Sequence, residues 1–438
     1  MISPDQQREL QRNLVRSHCA GFGSPLPLSE VRAVMLLRAN ALARGHSGCR
    51  VEVVERLIEF LNAGITPVVP EFGSVGASGD LAPLAHIALT LMGEGQVHDG
   101  NTIVPASEAM EAKGLEPLVL AEKEGLSLIN GTQVTTGVGG CAAAHLATLL
   151  DVADVAGAMS LEGLMGSPDP FLEEVHKTRP HPGQIRSAAR LWALLQDSEI
   201  RDSHRQDDPR VQDPYSLRCM PQVHGAARDA LDYASSVITR EANSTTDNPL
   251  VLPDSELVIS GGNFHAQIVA QVLDLLAMVA ADLASISERR IERLLNPDLS
   301  GLPAFLTHDP GIRSGFMIAQ VAVADALGEM RVLAHPASVD SVSTSAAQED
   351  HVSMGMVAAR KLRKSVSLLQ AVLAIEILCG AQAVEFRAPL RPSPAVQQAL
   401  KVVRGEVAAL EEDRVLSHDI EAVRRLISSG ALSFGGWG

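Results

Sequence analysis

Cysteine is sparse. Cys19, Cys49, Cys141, Cys219 and Cys379 are scattered through 438 residues with no CxxC pair. An odd number without close spacing argues against a disulfide framework and for reduced thiols, as expected of a cytoplasmic protein. Basic charge is also short: 36 Lys+Arg face 52 Asp+Glu, a formal net charge of −16. That balance argues against nucleic acid or an anionic membrane surface as the main partner, because both select basic patches. The start, Met1-Ile2-Ser3-Pro4-Asp5-Gln6-Gln7-Arg8, lacks the basic-then-apolar order of a secretory signal. The longest uncharged run, 125–150, carries Asn130, Gln133, His145, four Thr and five Gly. Its transfer into lipid is poor, so no membrane span is expected. Phe, Trp and Tyr together make up only 3 %, yet apolar residues reach 46 %, enough for a sizeable core. With no low-complexity tract, disorder is excluded as well.

Standard catalytic signatures are missing too. The 14 histidines include no HExxH or other metal-ligand spacing, so no metal site is expected. Gly137-Val-Gly139-Gly-Cys-Ala142 matches the loose dinucleotide pattern, but no strand precedes it and core packing explains it better. Ser78, in Gly76-Ala77-Ser78-Gly79-Asp80, is not the serine of a GxSxG nucleophile elbow. There is no Walker-type loop.

What the chain has is helical periodicity. Val54, Leu57, Ile58 and Leu61 recur at i, i+3, i+4 and i+7 with charged residues between them, and Gly64 and Pro67 supply the stop. Ser29 is the expected cap of a helix running to about 44. Long helices are expected near 133–160, 221–243, 264–295, 311–333 and 352–380, and shorter ones near 184–195, 395–412 and 417–429. Several are apolar nearly all round. Between Ile268 and Ala284 only Gln271, Asp274 and Asp282 are polar, the pattern of a helix buried on most sides in a bundle or an oligomer. The one clear strand signal is a hairpin over 250–259, turning at Pro253-Asp254-Ser255. The segment 198–222 reads as a long polar loop, and loops of that length are usually functional. No repeat or linker divides the chain. The expected architecture is one mainly α unit over 1–438, with 1–200 as its N-terminal part and a long-helix bundle with C-terminal helices over 201–438.

One string stands apart: Gly73-Ser74-Val75-Gly76-Ala77-Ser78-Gly79-Asp80-Leu81-Ala82-Pro83-Leu84-Ala85-His86. A glycine-rich turn into a helix, with Asp80 as N-cap and Pro83 in the first turn, explains its end. It does not explain Ala-Ser-Gly set between further glycines. In a tight turn the Gly79 nitrogen can approach the Ala77 carbonyl carbon, since glycine has no Cβ to clash and tolerates unusual backbone angles. Ring closure with loss of one water, then loss of the Ser78 hydroxyl as a second, leaves an exocyclic methylidene. That is a backbone-derived electrophile, and a helix beginning at Asp80 biases it further toward accepting electrons.

The string resembles the prosthetic-group segment of the aromatic amino acid ammonia-lyases, which make 4-methylidene-imidazol-5-one (MIO) from Ala-Ser-Gly. The resemblance extends over essentially the whole chain. It includes Ser17-His18-Cys19-Ala20-Gly21, Asn130-Gly131-Thr132-Gln133, Gln212-Asp213-Pro214-Tyr215-Ser216-Leu217-Arg218, Thr246-Asp247-Asn248-Pro249, Gly261-Gly262-Asn263-Phe264-His265 and Gln348-Glu349-Asp350-His351. It implies an aspartase-like fold, a long antiparallel helical bundle with a few short strands, and a homotetramer whose sites combine segments of more than one subunit. It also implies no external cofactor.

Within the family the histidine-acting members are most similar, which implies conversion of L-histidine to trans-urocanate and ammonia, the opening of histidine degradation. Ser17-His18 stands where phenylalanine-specific members resemble Phe-Leu and tyrosine-specific ones His-Leu, and Glu349 stands where those relatives tend to have Gln. Physical chemistry agrees. A carboxylate facing a phenyl ring is left unpaired at a cost of several kcal/mol, whereas imidazole N–H can satisfy it, and such sites reject analogues by up to ~10⁴–10⁵-fold.

The resemblance assigns roles residue by residue. Ala77, Ser78 and Gly79 form the electrophile. Arg218 grips the substrate carboxylate, with a salt bridge to Asp213 or Asp208 as the plainer alternative. His18 and Glu349 orient the imidazole. Asn130, Gln212 and Tyr215 line the prosthetic group, and Phe264 packs beside it. Substrate amine attack on the methylidene would precede β-proton removal and C–N cleavage. Family members also carry an upstream Tyr-Gly-Val-Asn-Thr-Gly-Phe-Gly motif, whose tyrosine serves as base; it does not occur in this sequence. A late recorded start, a truncation and a shortened variant all account for that. The competing functions are an MIO-dependent aminomutase, another aromatic amino acid ammonia-lyase, and a catalytically silent homologue. The fumarase/aspartase relatives rank last, because their glycine-serine-serine loop is absent.

Overall fold

A computed structural model describes residues 4–434 other than 207 and 209. Five long helices dominate it: Gln133–Gly163, Met220–Ala242, Gln267–Leu295, Met317–Leu333 and Gly355–Glu385. At 1.5 Å per residue the 31-residue members are about 46 Å long. Four of the five follow the expected bounds closely. The other begins at Met317 instead of 311, because Gly311 and Gly315 take positive φ of 104° and 53°. The Asp413 carboxylate accepts the Ser314 and Gly315 amides there, holding the segment as a turn. The helix Leu28–Ala43 begins one residue before Ser29, and Ser29 does not cap it. The 198–222 segment is only partly irregular. It holds the short helices Glu199–Asp202 and Tyr215–Arg218 and the start of Met220–Ala242.

Contacts divide the chain into two units, each assembled from three stretches of sequence: Met1–Ala143, Ala234–Asp274 and Pro336–Arg363 in the first, Ala144–Tyr233, Leu275–His335 and Lys364–Gly438 in the second. All seven strands lie in the first unit. Phe22–Pro25 pairs antiparallel with Pro70–Phe72. Gln96–Asp99 is the middle strand of an antiparallel trio with Ile65–Pro67 and Thr102–Pro105. Leu250–Leu252 and Leu257–Ile259 form the expected hairpin, with Pro253–Ser255 as its turn.

Among its described residues the second unit is helical with irregular connections. Its core explains the few polar residues on otherwise apolar helices. Arg290 and Glu376 are fully buried and paired, and Ser160 and Ser287 each donate to a Glu376 oxygen, at 2.7 and 2.5 Å. A buried ion pair survives only when its remaining lone pairs are satisfied in this way. The helices 133–163, 267–295 and 355–385 are long and apolar enough to cross a bilayer, but 61, 61 and 83 % of their apolar windows is buried inside protein. The Gln267–Leu295 helix is not buried all round, however. Ile268 and Met278 are 45 % and 49 % exposed, and with Gln271 and Asp282 they trace an open stripe at helical spacing.

Candidate functional site

The string around Ser78 sits between two rigid supports in the first unit. The helix Leu81–Leu91 follows it, and the turn 130–133 lies beside it, bridging Gly131 to Gly79. Gly79 has φ +79°, and a Cβ there would run into the Gly131 backbone. Only glycine fits that close approach.

Asp80 occupies the N-cap position, but its side chain makes no cap hydrogen bond. The carboxylate turns inward and accepts Thr135 N at 2.7 Å, Thr135 Oγ1 at 2.9 Å and Ser74 Oγ at 2.9 Å. Burial pushes this carboxyl above its ordinary range, and the donated hydrogen bonds oppose that rise. The capping expectation is therefore corrected. Asp80 ties both ends of the glycine-rich turn to the start of the Gln133–Gly163 helix.

The opposite support is equally dense. Arg38, fully buried, donates to the Ser127 carbonyl, to Gln133 Oε1 at 2.8 Å and to the Thr246 carbonyl at 3.1 Å. Burial draws its pKa down to about 10. Gln133 donates to Thr246 Oγ1 at 2.6 Å, and Thr132 Oγ1 donates to Glu241 at 2.6 Å. These bonds hold the residues on either side of Asn130, whose Oδ1 is buried and has no hydrogen-bond partner among the described residues.

A residue distant in sequence reaches this turn. Ser78 Oγ donates to Glu349 Oε1 at 2.7 Å. The other carboxylate oxygen, Oε2, accepts Thr344 Oγ1 at 2.8 Å and Ser345 Oγ at 2.5 Å. Burial acts to raise the Glu349 carboxyl, but the three hydroxyls and the nearby His18 outweigh it and hold it below its ordinary value. The group is therefore ionised at neutral pH. His18 ends the helix Pro4–His18. Its Nδ1 lies 2.8 Å from the Leu14 carbonyl oxygen, which can only accept, so Nδ1 carries hydrogen. The structure thus brings Ala77-Ser78-Gly79, Asn130, His18 and Glu349 into one unit, with Glu349 bonded to the turn and His18 near Glu349.

Phe264 lies in the same unit, half-buried just before the Gln267–Leu295 helix, and no ring stack involves it among the described residues. Neighbouring His265 stacks on His351 with ring centroids 5.9 Å apart.

Gln212, Tyr215 and Arg218 belong to the second unit, where they form a cluster of their own. With Arg289 and Arg293 they line an open cleft of about 670 Å³. The salt-bridge alternative for Arg218 is not realised: Asp213 and Asp208 lie against Arg210. The Arg218 guanidinium stands 4.6 Å from the centre of the Tyr215 ring, a cation–π contact, and its Nε is buried without a hydrogen-bond partner. Tyr215 is 70 % exposed.

Sequence reasoning did not single out Thr344, Ser345, Arg289 or Arg293. For the first two a signal existed: the hydroxyl-rich run Ser341-Val-Ser-Thr-Ser345 shortly before Glu349. Among the described residues no group of three or more His, Cys, Asp or Glu could hold a metal ion.

The family model for aromatic amino acid lyase matches residues 1–405. A histidine ammonia-lyase of Myxococcus xanthus is 54 % identical over 431 residues, covering 98 % of this chain and 85 % of that protein. Among solved structures, histidine ammonia-lyase from Trypanosoma cruzi superposes with a TM-score of 0.92 at 44 % identity, over 99 % of this chain and 82 % of that one. A tyrosine aminomutase from Streptomyces globisporus also reaches 0.92, at 40 % identity over 98 % and 85 %. The fold expected from the resemblance is the fold these neighbours share. On sequence, on fold and on the turn at Ser78, this chain belongs to the aromatic amino acid lyase family.

Proposed function

We propose that this chain, a carbon–nitrogen lyase by family, converts L-histidine to trans-urocanate and ammonia, the first step of histidine degradation. The observation that carries the reading is the hydrogen bond from Ser78 to Glu349, with His18 near enough to help lower the Glu349 carboxyl. Ionised Glu349 is an acceptor at the edge of the turn. An imidazole N–H can satisfy that half-buried acceptor, whereas a phenyl ring cannot. The aminomutase alternative has a solved neighbour at comparable TM-score, but the histidine ammonia-lyases named above are more similar in sequence.

The residues present fit an MIO group made from Ala77, Ser78 and Gly79. Gly79 holds a positive φ against the Gly131 backbone, and Asn130 Oδ1 is a buried acceptor still lacking a donor. Once formed, the group supplies an electrophilic carbon for the substrate amine. The chain's other residues bind and orient. Glu349 takes the imidazole N–H through Oε1, and His18 flanks the ring. Asn130 lines the ring formed from 77–79. Arg218, whose planar fork matches a carboxylate, would hold the substrate carboxylate together with Tyr215 and Gln212, contributed by another subunit of a homotetramer. The exposed apolar stripe of Met317–Leu333, with Ile318, Val321 and Val332 at 61, 58 and 72 % exposure, is a surface suited to such assembly. The five unpaired cysteines fit a reducing, cytoplasmic setting.

The test is the mass of the proteolytic peptide containing Ala77-Ser78-Gly79, together with urocanate formation. The native chain should give a peptide lighter by two waters and should release urocanate from L-histidine. Ser78→Ala should show neither the double dehydration nor product. A β-amino acid product would favour the aminomutase, and cinnamate or coumarate formation in place of urocanate would overturn the histidine assignment.

A further inference from the structure

Glu349 is held at both oxygens, and the two ends differ in what holds them. Among the described residues Oε1 receives Ser78 alone. Oε2 receives two hydroxyls, Thr344 and Ser345, from its own loop. The terminal torsion of a glutamate is broad, so a carboxylate anchored at one point swivels. Two donors converging on Oε2 stop that motion and leave Oε1 turned toward residue 78. The loop is shaped to bring them there. Thr344 and Glu349 exchange backbone hydrogen bonds, 3.0 and 3.3 Å long. Between them Ser345, Ala346 and Ala347 all take left-handed φ of 50°, 54° and 67°. Three consecutive non-glycine residues in that region persist only where the surroundings over-determine them.

We propose that Thr344 and Ser345 are positioning residues for substrate recognition, fixing Glu349 as an acceptor whose Oε1 is presented to the substrate's ring N–H. This rests on the histidine reading above. In the unprocessed chain the Ser78 hydroxyl satisfies Oε1. When that hydroxyl leaves as water, Oε1 loses its donor and the substrate's ring N–H takes the place. The hold on Oε2 is the same before and after. The charged or titratable neighbours are His18, from the Pro4–His18 helix, and Asp350 and His351 on the same loop, with His351 stacked on His265. Asp80 is turned away to Ser74 and Thr135. Since hydroxyl donation favours the ionised form, deleting both hydroxyls makes Glu349 easier to protonate, and binding should fail at a higher pH than in the parent.

The probe is imidazolepropionate, an L-histidine analogue without the amine, titrated calorimetrically into the full-length protein across pH. The variants are Thr344→Val/Ser345→Ala, the single Ser345→Ala at an exposed position, and Thr344→Ser, which keeps the hydroxyl. All should give the peptide lighter by two waters, separating recognition from ring formation. The double variant should bind about tenfold more weakly at neutral pH, as expected for losing a charge-assisted hydrogen-bond network, with its acid limb moved to higher pH. Ser345→Ala should move in the same direction by less, and Thr344→Ser should stay within about twofold of the parent. Parental affinity and acid limb in the double variant would overturn the inference, as would a Thr344→Ser chain as weak as the double variant. A parent that neither forms urocanate nor binds imidazolepropionate overturns the histidine reading and this inference with it. A parent that does both, beside an unaltered double variant, overturns this inference alone.

Discussion

Ser78 and Glu349 are 271 residues apart in the chain, yet the hydroxyl of one donates to the carboxylate of the other at 2.7 Å. On the proposed function, the residue whose hydroxyl would leave to make an electrophile touches the residue that would choose the substrate. Chemistry and selectivity meet at a single hydrogen bond.

The first consequence concerns charge. Glu349→Gln keeps the shape but replaces an ionised acceptor by an amide with one acceptor oxygen. A hydrogen bond to a charged group contributes about 1.5–3 kcal/mol. The expected loss in kcat/KM for L-histidine is therefore about 10- to 100-fold, with a smaller loss for any residual activity on phenylalanine. Parallel urocanate and cinnamate assays check this, and an unchanged ratio of the two would count against Glu349 as the selecting group.

Gly79 tests the backbone. Gly79→Ala introduces a Cβ into the Gly131 backbone at a positive φ. The turn must open to accommodate it, separating the Gly79 nitrogen from the Ala77 carbonyl. The peptide spanning 77–79 should then retain its full, unprocessed mass while the far-ultraviolet circular dichroism stays helical. A normally dehydrated peptide would show that the close approach is dispensable.

Arg218 lies in a different compact unit from Ser78, so its substitution should separate binding from ring formation. Arg218→Lys keeps the charge and loses the planar fork. KM for L-histidine should rise about tenfold or more, while the 77–79 peptide keeps its double dehydration. Steady-state kinetics beside peptide mass decides the matter; an unchanged KM would return Arg218 to a structural role over Tyr215.

A pH effect on stability follows from Glu162, deep in the second unit. Burial pushes its carboxyl up to about 7, against the hydrogen bonds from Ser198 and the Ser393 amide. The folded protein then keeps a proton that the unfolded chain loses near pH 4.5. Where the native state binds more protons, stability falls as pH rises. Its contribution should decline from about pH 4.5 to about 7 and level off above. Glu162→Gln removes that titration, so its stability relative to the parent should improve across the same window, by up to about 3 kcal/mol. Urea melts at pH 5 and pH 8 measure it, and a variant–parent difference independent of pH would refute it.

Much of this was readable in the order of residues. Helix bounds such as 133–163 and 267–295 follow from apolar periodicity, which is local. The hairpin at 250–259 follows from alternation around Pro253, equally local. Local rules misled where a long-range partner competed. Ser29 was passed over as a cap, and Asp80 gave up capping for Ser74 and Thr135, because a carboxylate removed from water needs several donors and finds them in the fold. The composition of 268–284 suggested burial on most sides, and one stripe of that helix remains open.

The sequence by itself determined the helical class and the family, and it singled out Ala77-Ser78-Gly79, since each depends on residue types at fixed spacing. Only the tertiary structure decided that Glu349 meets Ser78, that Thr344 and Ser345 grip its far oxygen, and that Arg218 stacks on Tyr215 instead of pairing with Asp213. Those contacts depend on distances and directions between segments far apart in the chain, and hydrogen bonds of 2.5 to 2.9 Å exist only once packing has set them.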